Sequence, residues 1–157
     1  MKWLLRFTLC SGFAIASQVF SQSGQEARPT SSDDVNIYES VIRFQIKSWK
    51  LPAHTYCLEV NRDDANQALL GRLRPLPVKA ASQCEETDQT LTHVVDKETK
   101  KSAVIFDVAT IHRISDSEVE VEGGYVCGSL CMASGVYRVV REESGWRVTG
   151  YEWHVMA

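Results

Sequence analysis

The segment GYVCGSLCMASG, residues 124–135, places two cysteines on either side of a short polar interval between apolar runs. Cys127 and Cys131 flank Gly128-Ser129-Leu130, which would form a three-residue hairpin loop. The strands that enter and leave this loop would bring the two sulfurs face to face. In an oxidising compartment such a pair closes into a disulfide. The spacing therefore predicts a cross-linked β-hairpin.

The compartment follows from residues 1–21, MKWLLRFTLCSGFAIASQVFS, which carry two basic residues and then a mostly apolar run. This pattern is typical of a secretory signal peptide, and the run is too short for a membrane span. We expect cleavage after Ser21, with Ala16 as the alternative. Acylation at Cys10 is disfavoured because leucine precedes it. The sequence thus predicts a secreted or periplasmic protein without stable membrane insertion.

Without that segment the chain keeps four cysteines, an even number that permits three connectivities. Pairing Cys127 with Cys131 leaves Cys57 with Cys84 by elimination. A four-thiolate zinc site would show close pairs on both sides, and a redox centre favours Cys-x-x-Cys before a helix. Both alternatives stay open, but the spacing favours two structural disulfides and no metal or other cofactor.

Net charge limits the class of partner. After cleavage, 15 Lys and Arg stand against 20 Asp and Glu, a net charge of −5 with histidine neutral. Nucleic acids and anionic membranes are bound mainly through clustered basic residues, so neither is an expected partner. We expect a flexible linker over residues 22–31 and a single domain over residues 32–157, a normal domain size.

Hydrophobic periodicity predicts an α+β fold. Residues 31–50 have apolar side chains three and four positions apart and a polar stripe of Glu39, Arg43 and Lys47, which indicates a long amphipathic helix. Helix and strand signals are segregated, which favours this long N-terminal helix packed on a curved antiparallel sheet ending in a four-stranded meander. A second helix is expected over residues 65–73, capped by Asp63 or Asp64. Strands are expected over residues 54–60, 91–96, 102–114, 117–123, 135–141 and 146–156, with a bulge at Gly123-Gly124.

Acidic residues alternate with valine along one predicted strand. Glu118, Glu120 and Glu122 could form a calcium site, but such sites usually gather oxygens from a turn. We expect a solvated face opposite Arg138 or Arg141 instead.

Catalytic motifs are missing: there is no Gly-x-Ser-x-Gly, His-Glu-x-x-His or Gly-Lys-Ser sequence. The candidates for an acid or base are Asp107 and His112, predicted to lie on opposite faces of one strand. His112 would share its face with Val104, Phe106 and Val108. An inward-facing carboxyl or imidazole would have a perturbed pKa. Three aromatic residues are candidates either for the core or for a ligand pocket: Tyr125, Trp146 and Trp153.

The ending YRVVREESGWRVTGYEW, residues 137–153, forms two predicted strands with a Gly-Trp at the exit of their turn. It resembles the terminal hairpin of NTF2-like and cystatin-like α+β domains, which implies a long helix in a curved sheet, often with a conical cavity. The Tyr-x-Cys-Gly-x-x-Cys segment at residues 125–131 is also similar to that of uncharacterised secreted bacterial proteins. Neither resemblance implies an activity or a catalytic residue.

Three functions remain to be compared. Without convergent polar motifs, we expect non-enzymatic binding of a small molecule or a protein through the concave side of the sheet. The alternative is an enzyme that uses an NTF2-like cavity, with Asp107 or His112 as acid or base. A third possibility places a protein partner on the hairpin loop and the acidic strand.

Overall fold

A computed structural model describes residues 31–87 and 93–156, so the predicted signal peptide and most of the predicted linker lie outside the described residues. The α+β class is confirmed: one main helix lies on a large, mostly antiparallel open sheet. The helices are α1 (Ser32–Trp49) and α2 (Gln67–Arg72). The strands are β1 (Thr55–Val60), β2 (Asp63–Asp64), β3 (Val78–Ala80), β4 (Cys84–Thr87), β5 (His93–Asp96), β6 (Ala103–Ser115), β7 (Glu118–Gly128), β8 (Cys131–Glu142) and β9 (Gly145–Met156).

The helix α1 begins with a capping box. The Ser31 hydroxyl accepts a hydrogen bond from the Asp34 amide, and the Asp34 carboxylate accepts one from the Ser31 amide. Within the predicted polar stripe, Arg43 binds Glu39 one turn earlier at 2.9 Å. The opposite face of the helix is buried on the sheet, as its apolar spacing predicts.

The sheet combines a regular meander with a parallel branch. The strands β6, β7, β8 and β9 pair antiparallel in chain order. In contrast, β1 runs parallel to both β6 and β3. Parallel neighbours need a long connection, and here the chain from β1 to β6 makes it through α2 and four short strands. The short strands β2, β3 and β4 carry no hydrophobic alternation long enough to be predicted.

A bulge in β6 corrects the predicted alternation. Between Val108 and Ile111, strand β6 has one more residue than β7. Before the bulge Phe106 and Val108 face α1; beyond it Ile111 packs against the same core and His112 is exposed. The prediction that His112 shares the face of Val104, Phe106 and Val108 is therefore wrong, because the extra residue reverses the phase.

The bulge predicted at Gly123-Gly124 is also wrong, because both residues keep regular register with β6. The glycines instead allow a close approach of backbone and helix. A Cβ on Gly123 would lie 2.6 Å from the Asp107 carbonyl oxygen and 3.3 Å from the Gln45 Nε2 atom. That buried amide donates hydrogen bonds to the carbonyl oxygens of Asp107 and Gly124 at 3.2 and 3.1 Å. Glycine thus allows α1 to lie close to the centre of the sheet.

The predicted cap of the second helix is wrong. Asp63 and Asp64 form β2 and pair with the end of β1. The cap is Asn66, whose side chain accepts a hydrogen bond from the Leu69 amide at 2.9 Å. Asp64 instead accepts a hydrogen bond from the Ser82 amide at 2.7 Å.

Both predicted disulfides are confirmed. Cys57 in β1 is bonded to Cys84 in β4, with Cα atoms 6.2 Å apart, and Cys127 to Cys131 with Cα atoms 5.2 Å apart. The hairpin loop is shorter than expected, because Gly128 pairs with Cys131 and only residues 129–130 connect the strands. An irregularity in the register at Cys127 places the two sulfurs together across this two-residue loop.

Candidate functional site

An apolar groove of about 490 Å³ lies beside the Cys127–Cys131 disulfide. Val94, Ala103 and Val104, each at most 3 % exposed, come from strands β5 and β6. The segment that follows α1 and the Cys127–Cys131 disulfide also line the groove. The remaining lining residues are Leu51, Pro52, His93, Val95 and Ser102.

Few polar side chains line this groove. Ser102 is held by an interaction of its hydroxyl with His54 Nδ1 at 3.1 Å. His93, at the start of β5, pairs with Gly128 of β7 and therefore lies next to the disulfide. A mostly apolar lining with a small number of placed polar groups is characteristic of small-molecule sites.

A second groove, of about 420 Å³, is polar and lies on the face of the sheet opposite α1. Asp107 and Glu59 are neighbours there on the parallel strands β6 and β1. Arg62, Glu122 and His154 complete its charged lining. Within the described residues, Asp107 and Glu59 take part in no ion pair. The groove therefore presents two carboxylates side by side to any occupant.

Asp107 is the perturbed group of this groove. Burial is the main cause that raises the pKa of its carboxyl group, and the negative charge of Glu59 adds to it. Arg62 lines the same groove from the turn between β1 and β2, where Asn61 and Arg62 both have positive φ, of 54° and 68°. Such a turn is unusual without glycine, and it is held by a hydrogen bond from Asn61 to the Tyr38 hydroxyl at 2.9 Å.

The structure separates the two predicted acid-base residues from each other. Asp107 lines the polar groove, whereas His112 lies beyond the bulge, exposed and outside both grooves. Because of the bulge, both face away from α1, and the prediction that they face opposite sides is wrong. Their roles as acid or base stay predictions.

Two of the aromatic candidates pack under the end of α1. Trp49 contacts Tyr125 and Trp153, with ring centroids 5.8 and 4.4 Å apart. Tyr151 joins the same cluster, and Tyr137 is buried beneath it, where burial raises the pKa of its hydroxyl. Core side chains thus occupy the helix-facing side of the sheet at this position.

Trp146 lies at the other end of α1. Its indole donates a hydrogen bond to Asp33 at 2.9 Å, and this bond, followed by the positive charge of Arg141, lowers the pKa of the Asp33 carboxyl group. The Arg141 guanidinium lies 4.8 Å from the Trp146 ring centroid. These contacts fasten the helix N-terminus to β8 and β9.

The glutamate row behaves as a charged strand face. Arg138 binds Glu118 at 3.0 Å and lies opposite Glu120 on the paired strand. Of the two arginines predicted to face the glutamates, Arg138 is therefore the one that does so. Over residues 31–87 and 93–156, no group of three or more His, Cys, Asp or Glu side chains is placed to hold a metal ion. In the same ranges, no helix has the length and apolar character needed to cross a membrane.

Sequence reasoning missed the residues that form the apolar groove. Leu51, Val94 and Val104 come from three distant segments. The bridge between Val95 and Ser102 brings β5 to the start of β6, and the parallel pairing of β1 with β6 brings the segment of Leu51 there. The same pairing places Glu59 beside Asp107. The one available signal was Leu51-Pro52 directly after a helix, an apolar pair in a place where polar residues are usual.

Comparison of the chain with family models, with curated proteins and with solved structures finds no match.

Proposed function

We propose that this protein is a secreted or periplasmic binding domain that takes up a small apolar molecule in the groove beside the Cys127–Cys131 disulfide. The observation that carries the proposal is the groove itself, about 490 Å³, whose mostly apolar lining includes Val94, Ala103 and Val104. Known small-molecule pockets span roughly 300–1,000 Å³, so the groove fits one compact ligand. Core side chains cover the helix-facing side of the sheet, which is why the proposed site lies at its end.

Two further observations support the compartment. Disulfides persist in secreted and periplasmic proteins and are rare in the cytosol. Two disulfides join all four cysteines that remain after residue 21. Together with the signal-peptide pattern of residues 1–21, they favour export. The helix-on-sheet architecture and the final meander are compatible with an NTF2-like or cystatin-like domain over residues 32–157, and this relationship is part of the proposal.

Binding of an apolar fluorescent probe, N-phenyl-1-naphthylamine, tests the proposal. We expect saturable binding that weakens about tenfold in Leu51→Gln, because a polar side chain replaces one apolar side of the groove, a loss of about 1.4 kcal/mol. The matched control is Ile114→Gln, which changes an exposed residue at the opposite end of β6. Equal binding by wild type and L51Q would refute the proposed site.

The polar groove supports a second candidate function, proton transfer by Asp107. Its raised pKa and the adjacent Glu59 carboxylate are the features expected of a paired acid and base. A substrate here would offer polar or cationic groups to the carboxylates. Loss of any activity found for the wild type in Asp107→Asn, with retention in His112→Asn, would assign the reaction to this groove. The reverse result would remove Asp107.

Asp107→Asn should also change the stability of the folded protein in a pH-dependent way. A folded pKa above the unfolded value means that the folded state loses stability as the pH rises through the folded pKa. At pH 7 the ionised Asp107 therefore destabilises the wild type, and we expect Asp107→Asn to raise its melting temperature. Below the unfolded pKa of about 3.9 the gain disappears, because both side chains are neutral. Melting curves at pH 7 and pH 3 measure the difference; destabilisation at pH 7 would contradict the assignment.

A further inference from the structure

The two disulfides differ in their access to solvent. Cys57 and Cys84 are 0 % and 5 % exposed, whereas Cys127 and Cys131 are only partly buried. Cys127 and Cys131 also line the apolar groove. Thiol–disulfide exchange requires direct approach of a thiolate to a disulfide sulfur, so access is one of the factors that set its rate. A dissolved thiol therefore reaches the hairpin disulfide first.

Opening the hairpin disulfide leaves the surrounding structure intact. Cys127 and Cys131 lie four positions apart, and the strands on both sides stay paired through Val126 with Met132 and Gly128 with Cys131. After reduction this backbone pairing keeps the two thiols close. The bond can therefore open and close again without unfolding of the sheet.

The groove adds a preference for one class of thiol. Its mostly apolar lining retains apolar groups, and a thiol carried on such a group is thereby held beside the disulfide. His93 lines the groove next to the hairpin and adds one polar side chain beside the disulfide. Holding the thiol close to the disulfide raises the rate of attack.

We propose that Cys127–Cys131 is an exchangeable disulfide that oxidises apolar thiols bound in this groove, such as the cysteines of an apolar peptide. This rests on the apolar binding site proposed above. A substrate thiolate attacks one sulfur, forming a mixed disulfide while the Cys127–Cys131 bond breaks and the other cysteine leaves as a thiolate. A second substrate thiol then displaces the first cysteine. The substrate becomes a disulfide, the protein gains two electrons and two protons, and an external disulfide reverses the process.

Thiol reactivity of the native protein tests the proposal. The protein is treated with benzyl mercaptan or with 2-mercaptoethanol and quenched in acid, and its free thiols are then alkylated and mapped by mass spectrometry. Each rate is divided by the rate of the same thiol with oxidised glutathione, which removes intrinsic reactivity. We expect alkylation at Cys127 and Cys131 while Cys57–Cys84 stays intact, with benzyl mercaptan at least about tenfold faster in relative rate. This preference should fall in Leu51→Gln and persist in Ile114→Gln, and circular dichroism should stay unchanged.

Reduction of both disulfides at one rate, or of neither before unfolding, would overturn the exchange. Binding of N-phenyl-1-naphthylamine to the wild-type protein, measured beside its disulfide reactivity, keeps the two proposals apart. If N-phenyl-1-naphthylamine binds while the disulfide is inert, the exchange fails and the binding site stands. The other outcome is that Cys127–Cys131 reacts before Cys57–Cys84 but shows no preference for the apolar thiol, and that the probe does not bind. The groove is then not a binding site, and the proposed oxidation of bound thiols is refuted as well.

Discussion

The two disulfides belong to regions of different construction. Cys57–Cys84 joins β1 to β4 across a sequence separation of 27, in an apolar cluster with Val94 and Ala103. Cys127–Cys131 spans a separation of four at the tip of a hairpin that is already paired. The first fixes elements that local sequence could not bring together, and the second cross-links a turn whose strands are already paired. The same kind of bond thus joins distant segments in one region and neighbouring residues in the other.

Removal of each disulfide in turn should give the largest difference in the free energy of unfolding between the two regions. Loop-closure entropy assigns about 3–4 kcal/mol to a cross-link of this longer separation and no more than about 2 kcal/mol to the shorter one. We expect Cys57→Ala/Cys84→Ala to lose the larger amount, with an added loss from the space left in the core. Urea unfolding of this variant and of the matched Cys127→Ala/Cys131→Ala provides the comparison. Equal losses, or a larger loss for the hairpin pair, would contradict it.

A buried carboxylate beside the first disulfide predicts acid sensitivity in that region. Asp96 is 0 % exposed and pairs across the strands with Cys84. Its carboxylate binds Lys79 at 2.8 Å. It also accepts hydrogen bonds from the Thr55 hydroxyl and the Glu98 amide at 2.9 Å and from the Thr99 amide at 3.1 Å. The hydrogen bond from Lys79, followed by that from the Thr99 amide, holds the pKa of Asp96 far below its usual range.

The sign of the resulting pH dependence is fixed. A depressed folded pKa contributes stability above the unfolded pKa of about 3.9, and this contribution is lost as the pH falls towards the folded pKa. We expect Asp96→Asn to be less stable than the wild type at pH 7 and the difference to narrow steadily below about pH 5. Urea midpoints between pH 7 and pH 2 measure this. A constant difference over that range would show that the charge is not responsible.

Changes at the hairpin tip should have the smallest effect. Leu130 is 77 % exposed and lies in the two-residue loop between β7 and β8. Leu130→Gln should change the free energy of unfolding by no more than about 0.5 kcal/mol, as is usual for surface positions. The same measurement on Leu58→Gln, within the core near Cys57, provides the contrast. A large loss in L130Q would mean that the tip carries more of the fold than its exposure indicates.

The sequence predicted the elements that depend on local pattern. The amphipathic spacing from Ile37 to Trp49 predicted α1, and the even alternation from Glu118 to Glu122 predicted β7. Where an element depends on distant partners, prediction failed: the bulge between Val108 and Ile111 is forced by pairing with β7, and it moved His112 to the exposed face. The candidate grooves depend on the parallel pairing of β1 with β6, which leaves no local signal.

Disulfide mapping is the most direct test of the central claim, that two oxidised pairs hold regions of different kinds. The full chain is digested without reduction, after any free thiol has been alkylated in denaturant, and the cross-linked peptides are identified by mass spectrometry. The account predicts Cys57 linked to Cys84 and Cys127 linked to Cys131, with none of these four alkylated. Crossed pairs, or alkylation of Cys127 and Cys131 in the untreated protein, would contradict it.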